Sequence, residues 1–124
     1  MCIRDRLQRY LNAAEQLGVL PIIYTGLSSG LRQCELITLS WADFHVRYKY
    51  ILRGQRLLTL NEKGAYLLTR MPETNPPYVF CNPKTESPYK LHEFYYLHKK
   101  ILKQARLPWV AFRDLQRQCM EVGI

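Results

Sequence analysis

The sequence predicts an α+β fold, mostly helical with a small antiparallel sheet. Apolar residues recur at spacings of three and four over 7–17 and again over 91–106, the stripe of an amphipathic helix. Between them, two short runs with strand composition flank a glycine turn over 48–60. With 124 residues, 48% apolar and 23% charged, the chain suits one core of moderate size and is too apolar to be disordered.

The first helix is built on Leu7, Tyr10, Leu11, Ala14 and Leu17, and Gly18 follows as its stop. Val19 to Leu27 is more continuously apolar. It reads as a buried helix with Pro21 in its first turn, closed by Ser28-Ser29-Gly30, with a strand as the competing assignment. Leu31, Cys34, Leu36 and Leu39 predict a short helix over 31–39, for which Ser29 is the candidate cap. Tyr48 to Leu52 and Leu57 to Leu60 form a hairpin around Arg53-Gly54-Gln55-Arg56. Asn61 can cap a helix running to Leu68.

Pro72, Pro76, Pro77, Pro83 and Pro88 then predict a long loop around one short strand, Tyr78-Val79-Phe80. From residue 91 on, Leu91, Phe94, Leu97 or His98, Ile101, Leu102 and Ala105 mark the apolar face of a long helix. A last helix is expected after Pro108, near Phe112. His92 and His98 read as surface or packing residues, and Tyr95 and Tyr96 as aromatics that pack or face a partner.

Eighteen Lys and Arg against ten Asp and Glu give a net charge of +8, which favours a polyanionic partner, nucleic acid before an anionic membrane surface. Charged residues interrupt every apolar run, and no signal segment opens the chain, so a cytoplasmic protein with no membrane partner is expected. The four cysteines, Cys2, Cys34, Cys81 and Cys119, form no CxxC pair. They support neither a zinc site nor a disulfide framework and are expected to be reduced, mostly small core residues.

Residues 1–6 stand apart. Met1-Cys2-Ile3-Arg4-Asp5, followed by Arg6, resembles the translation of a transposon-end adapter used in sequencing libraries, so these residues are expected to be a non-native tail. Without Arg4, Asp5 and Arg6 the net charge drops only from +8 to +7, so the basic character belongs to the rest of the chain.

The most specific stretch runs from Ser29-Gly30-Leu31-Arg32 through Glu35-Leu36, Leu39 and Trp41 to Asp43-Phe44. An arginine just after a glycine turn and at a helix start is suited to holding one phosphate, because its planar fork can bind two oxygens and the helix end adds positive field. Glu35, one turn later, can hold that fork in place. The bland alternative is an exposed i,i+3 pair worth about 0.2–0.5 kcal/mol. A second signal is charge clustering. Arg47, Lys49, Arg53 and Arg56 lie on the hairpin among Tyr48 and Tyr50, and Lys99, Lys100, Lys103 and Arg106 lie along one helix. Such clusters bind a phosphate backbone in a salt-sensitive way or else serve as a solvated face.

Residues 29–44 resemble the first catalytic-arginine motif of the tyrosine recombinase, or phage integrase, family, TGLRxxELxxLxWxDI, with Ser29 in place of Thr and Phe44 in place of Ile. The resemblance extends over residues 7–124. It implies a partial catalytic-domain fold of that family, and DNA recombination or integration in which Arg32 grips the scissile phosphate of duplex DNA and Glu35 supports it. In the family a tyrosine attacks the phosphodiester and keeps the bond energy in a phosphotyrosine, so no metal or other cofactor is implied. A homo-oligomer on DNA is implied for the full-length protein.

The family's second box, HxxR within HDLRHT, falls on Arg113-Asp114-Leu115-Gln116. Arg113 replaces the histidine and Gln116 the second arginine. Gln116 keeps one hydrogen bond to offer a phosphate oxygen, but no charge. The family's lysine has no clear counterpart among Lys49, Arg53 and Arg56. Its nucleophile follows the second box, whereas only eight residues follow Gln116, so the chain is expected to be the N-terminal portion of the domain and not to cleave DNA by itself. The competing reading is a degenerate, non-cleaving DNA-binding relative. An RNA-binding module is a third, weakened by the absence of RRM or KH signatures.

Overall fold

The computed structural model describes residues 1–71 and 77–123. Six helices and one three-stranded sheet follow in the order α1 (Ile3–Gln16), α2 (Leu20–Ser29), α3 (Gln33–Ile37), β1 (Phe44–His45), β2 (Tyr50–Arg53), β3 (Arg56–Thr59), α4 (Glu62–Thr69), α5 (Leu91–Gln104) and α6 (Phe112–Val122). Single tight turns at Trp41–Asp43 and Val46–Tyr48 bracket β1.

The stretch at 19–27 is a helix, and its all-round apolarity has a packing reason. Helix α2 is the centre of the molecule, contacting α1, α3, α4 and α6, with Ile22, Ile23, Tyr24, Thr25, Gly26 and Leu27 all buried. A Cβ on Gly26 would stand 2.7 Å from Leu36 Cδ2 and 2.9 Å from Phe112 Cζ, so the missing side chain lets α3 and α6 close onto α2. Helix α1 packs against α2, α5 and α6 through Leu7, Tyr10, Leu11, Ala13 and Ala14. Phe94 of α5 meets Phe112 of α6 edge to face, with ring centroids 5.1 Å apart.

Helix α1 begins a turn before its apolar stripe. Cys2 Sγ caps it by accepting from Asp5 N, and Arg4 and Arg6 reach α6, at Val122 O (3.0 Å) and Gln118 Oε1 (3.4 Å). Arg9 donates to the carbonyls of Ala105 and Arg106, capping α5 across the helix pair. Asn61 caps α4 as expected, accepting from Gly64 N, while its amide donates to Tyr24 Oη.

The sheet is antiparallel in the order β1-β2-β3. Its hairpin closes through Gly54-Gln55, and Gly54 takes φ 60 at the position where a two-residue turn requires left-handed backbone. Strand β1 was not expected from the sequence, because two residues are too short to show alternation.

Other expectations are corrected. The helix predicted over 31–39 is only Gln33–Ile37, and Arg32, not Ser29, occupies the N-cap position. Ser29 instead belongs to α2, where its hydroxyl donates to Thr25 O. The segment 78–80 contributes one bridge, Ser40 with Tyr78, and no strand, although Val79 and Phe80 are buried. Pro72 and Pro76, assigned to the loop, lie outside the described residues. Leu91 is exposed, since it opens α5 one turn before the core. Cys2 and Cys34 are exposed and Cys81 is half-buried, so Cys119 alone is a core cysteine; Cys34 lies on the solvent side of α3.

Candidate nucleic-acid interface and catalytic site

The turn from α2 to α3 is the best-braced piece of backbone near the motif. Helix α2 ends at Gly30, which takes φ 76, and this leaves the last carbonyls of the helix without intrahelical donors. The side chain of Gln116, on α6, meets that need. Its Nε2 donates to Gly26 O at 2.8 Å and to Leu31 O at 2.7 Å. Leu31, fully buried, anchors the same turn from the apolar side.

Arg32 follows directly. Its main chain is extended (φ −64, ψ 153), its N–H donates to Glu35 Oε1 at 3.0 Å, and its side chain is exposed, with no hydrogen bond or ion pair among the described residues. An exposed cation thus sits on a hydrogen-bonded turn. The helix-end field invoked from the sequence is small here, because α3 has five residues and carries the Glu35 carboxylate at the same end.

Glu35 does not hold the Arg32 guanidinium, as the sequence suggested. Its Oε1 pairs with Arg56 Nη1, and Arg56 Nη2 also lies 3.4 Å from Gly30 O. Sheet register explains the exchange. Ile51 pairs with Leu58 and Arg53 with Arg56, so both arginines share the inner face with the buried Ile51. Arg53 there pairs with Asp43 at 3.2 Å and donates to Thr38 O and Thr38 Oγ1. The hairpin arginines, expected to be DNA contacts, are therefore half-buried and internally neutralised, whereas Arg47 and Lys49 are exposed.

The second box is rearranged as well. Both amide hydrogens of Gln116 are used on carbonyls, so Nε2 has none left for a phosphate oxygen, which corrects the expectation from the sequence. Arg113 is exposed in the first turn of α6, and it shares a cleft of about 340 Å³ with Gln33, Tyr95 and Trp109. That cleft brings Gln33, the residue after Arg32, next to Arg113.

On α5, Lys99, Lys100 and Lys103 are exposed, and the opposite face, Phe94, His98, Ile101 and Leu102, is buried. Tyr95 and Tyr96 are exposed, and Tyr95 lies against Trp109, with centroids 5.5 Å apart. His98 is a core residue. Its Nε2–H donates to Val110 O at 2.7 Å, so Nδ1 is the nitrogen that accepts from Tyr10 Oη at 2.6 Å. Burial lowers the imidazole pKa and raises that of the Tyr10 phenol, which keeps both neutral and gives neither a role in proton transfer at a surface site.

Neither a family model nor a curated protein sequence matches the chain. Its architecture does match a solved structure, the crystal structure of XerA recombinase, with a TM-score of 0.72 over 91% of this chain at 18% sequence identity. The chain has a recombinase fold. It spans 46% of the length of that recombinase. No helix among the described residues is long and apolar enough to cross a membrane, and no cluster of three His, Cys, Asp or Glu among them could hold a metal ion.

The Gln116 contact is the feature that sequence reasoning missed. Its spacing from Gly26 and Leu31 is 90 and 85 residues, and no local pattern signals such a pairing.

Proposed function

We propose that this chain binds duplex DNA as part of a tyrosine recombinase that breaks and rejoins strands in site-specific recombination or integration, with Arg32 on the scissile phosphate. The observation that carries the reading is the exposed, unpaired guanidinium of Arg32 on a turn that Gln116 and Leu31 hold still. A fork so placed can grip two non-bridging oxygens and meet the charge that develops during phosphoryl transfer. Arg47, Lys49, Lys99, Lys100 and Lys103 would add salt-sensitive backbone contacts. In that setting Glu35 and Arg56 act on Arg32 only through its main chain and the Gly30 turn.

Gln116 favours a second reading, a recombinase-like protein that holds DNA without cutting it. The aligned position of the second arginine is spent on carbonyls, and the Arg113 guanidinium, which has donors but no acceptor, cannot relay a proton as the histidine would.

One experiment separates these. The chain is titrated with duplex DNA across a range of salt, and a longer form that supplies the nucleophile tyrosine is incubated with a suicide duplex whose cleavage traps a covalent adduct. Affinity that falls steeply with salt, together with a protein–DNA adduct resistant to denaturant, supports strand transfer. Steep salt dependence without an adduct supports the binding-only reading, and a flat salt response sinks both.

A further inference from the structure

The outer face of the sheet carries a column of rings that Arg32 and its turn leave unused. Residues paired directly across strands point to the same side. With Ile51, Leu58, Arg53 and Arg56 turned inward, the pairs His45 with Tyr50, Tyr50 with Thr59, and Leu52 with Leu57 face out. The rings of His45 and Tyr50 stack with centroids 4.6 Å apart at 19°, and Tyr48 continues the column at 6.3 Å and 26°. Tyr48 is 69% exposed, so the column ends in solvent.

Charge on this face has one sign. Residues 44–60 contain no Asp or Glu. Of the four cations there, Arg53 and Arg56 are neutralised on the inner side by Asp43 and Glu35, which leaves Arg47 and Lys49 exposed beside the rings. The Arg47 guanidinium already lies 5.7 Å from the Tyr48 ring centre.

We propose that this face, His45, Tyr48 and Tyr50 with Arg47 and Lys49, is a stacking platform for unpaired bases of single-stranded DNA. A base added at the Tyr48 end continues the column, and its flanking phosphates meet Arg47 and Lys49, the pairing of flat rings with cations that single strands require. Duplex DNA keeps its base faces covered and gains nothing from the rings. The proposal rests on the nucleic-acid part of the function proposed above and needs no strand cleavage.

The test compares an oligothymidylate with a duplex of equal length by fluorescence anisotropy at one salt concentration. Tyr48→Ala should weaken single-strand binding about fivefold to tenfold, Tyr48→Phe should restore it to within about twofold, and duplex affinity should change by less than about twofold. Circular dichroism checks that the exposed substitution leaves the fold intact. Unchanged single-strand affinity in Tyr48→Ala overturns the platform, as does an equal loss for duplex. A wild-type chain that binds duplex but not the single strand also overturns it while leaving the duplex reading standing. A chain that binds neither removes both.

Discussion

Gln116 Nε2 donates to Leu31 O at 2.7 Å, tying α6 to the turn that presents Arg32. Because the same nitrogen also serves Gly26 O, one side chain closes the C-terminus of α2 and fixes the entry to α3. Replacing it takes the side-chain donor from the carbonyls of two buried residues. Gln116→Ala should therefore cost about 1–3 kcal/mol in urea unfolding. A loss below about 0.5 kcal/mol would mean that water replaces the amide and the staple is incidental.

Arg32 should behave in the opposite way. Its side chain is exposed and has no partner among the described residues, so Arg32→Ala is expected to change folding stability by less than about 0.5 kcal/mol. Duplex affinity should fall in the same variant, and the slope of log affinity against log salt should shrink by about 1. A variant that unfolds, or one that binds duplex as the parent does, contradicts the assignment.

Glu35 and Arg56 form an ion pair in which the carboxylate is mostly buried and also accepts the Arg32 N–H. A double-mutant cycle on Glu35→Gln and Arg56→Gln should give a coupling of about 1 kcal/mol, at the upper end for partly exposed pairs. Coupling indistinguishable from zero would show that Glu35 acts through the main chain alone.

At Gly26, α3 and α6 close onto α2. Gly26→Ala gains about 1 kcal/mol of helix propensity. It also drives a methyl into Leu36 and Phe112, both buried, for which overpacking costs about 1–3 kcal/mol. Net destabilisation is expected in thermal unfolding, and a raised Tm would show that α3 or α6 can yield.

His98 makes stability depend on pH. Burial lowers its folded pKa, against a smaller opposing effect of the Val110 carbonyl, so below the ordinary 6.5 the unfolded chain binds more protons than the native one. The contribution of His98 is fully present above about 6.5 and is lost as pH falls toward the folded value. Urea midpoints measured from neutral to mildly acid pH should decline more steeply in the parent than in His98→Gln. Parallel curves would place the imidazole in a wetter site than its bonds to Tyr10 and Val110 suggest.

Much of the fold was legible because it is written in local period. Leu7 to Leu17 and Phe94 to Ala105 repeat every three or four residues, Gly54 marks the hairpin, and Asn61 marks the start of α4. The apolar run at 19–27 reads as a helix but leaves a strand in competition, since periodicity vanishes when every side is buried. Of the candidate site, the place of Arg32 after a glycine turn could be read, but the partner of Glu35 could not.

What the sequence determined by itself is which residues are apolar, where the chain turns and where cations concentrate, because these depend on neighbours a few positions away. Tertiary structure alone decided which cations remain available. Register turned Arg53 and Arg56 inward to Asp43 and Glu35, the closing of α6 on α2 spent Gln116 on two carbonyls, and the same packing left Arg32, Arg47 and Lys49 in water. A charge is neutralised by whatever the fold brings within a few ångströms, and over separations of 10 to 90 residues only the assembled core sets that distance.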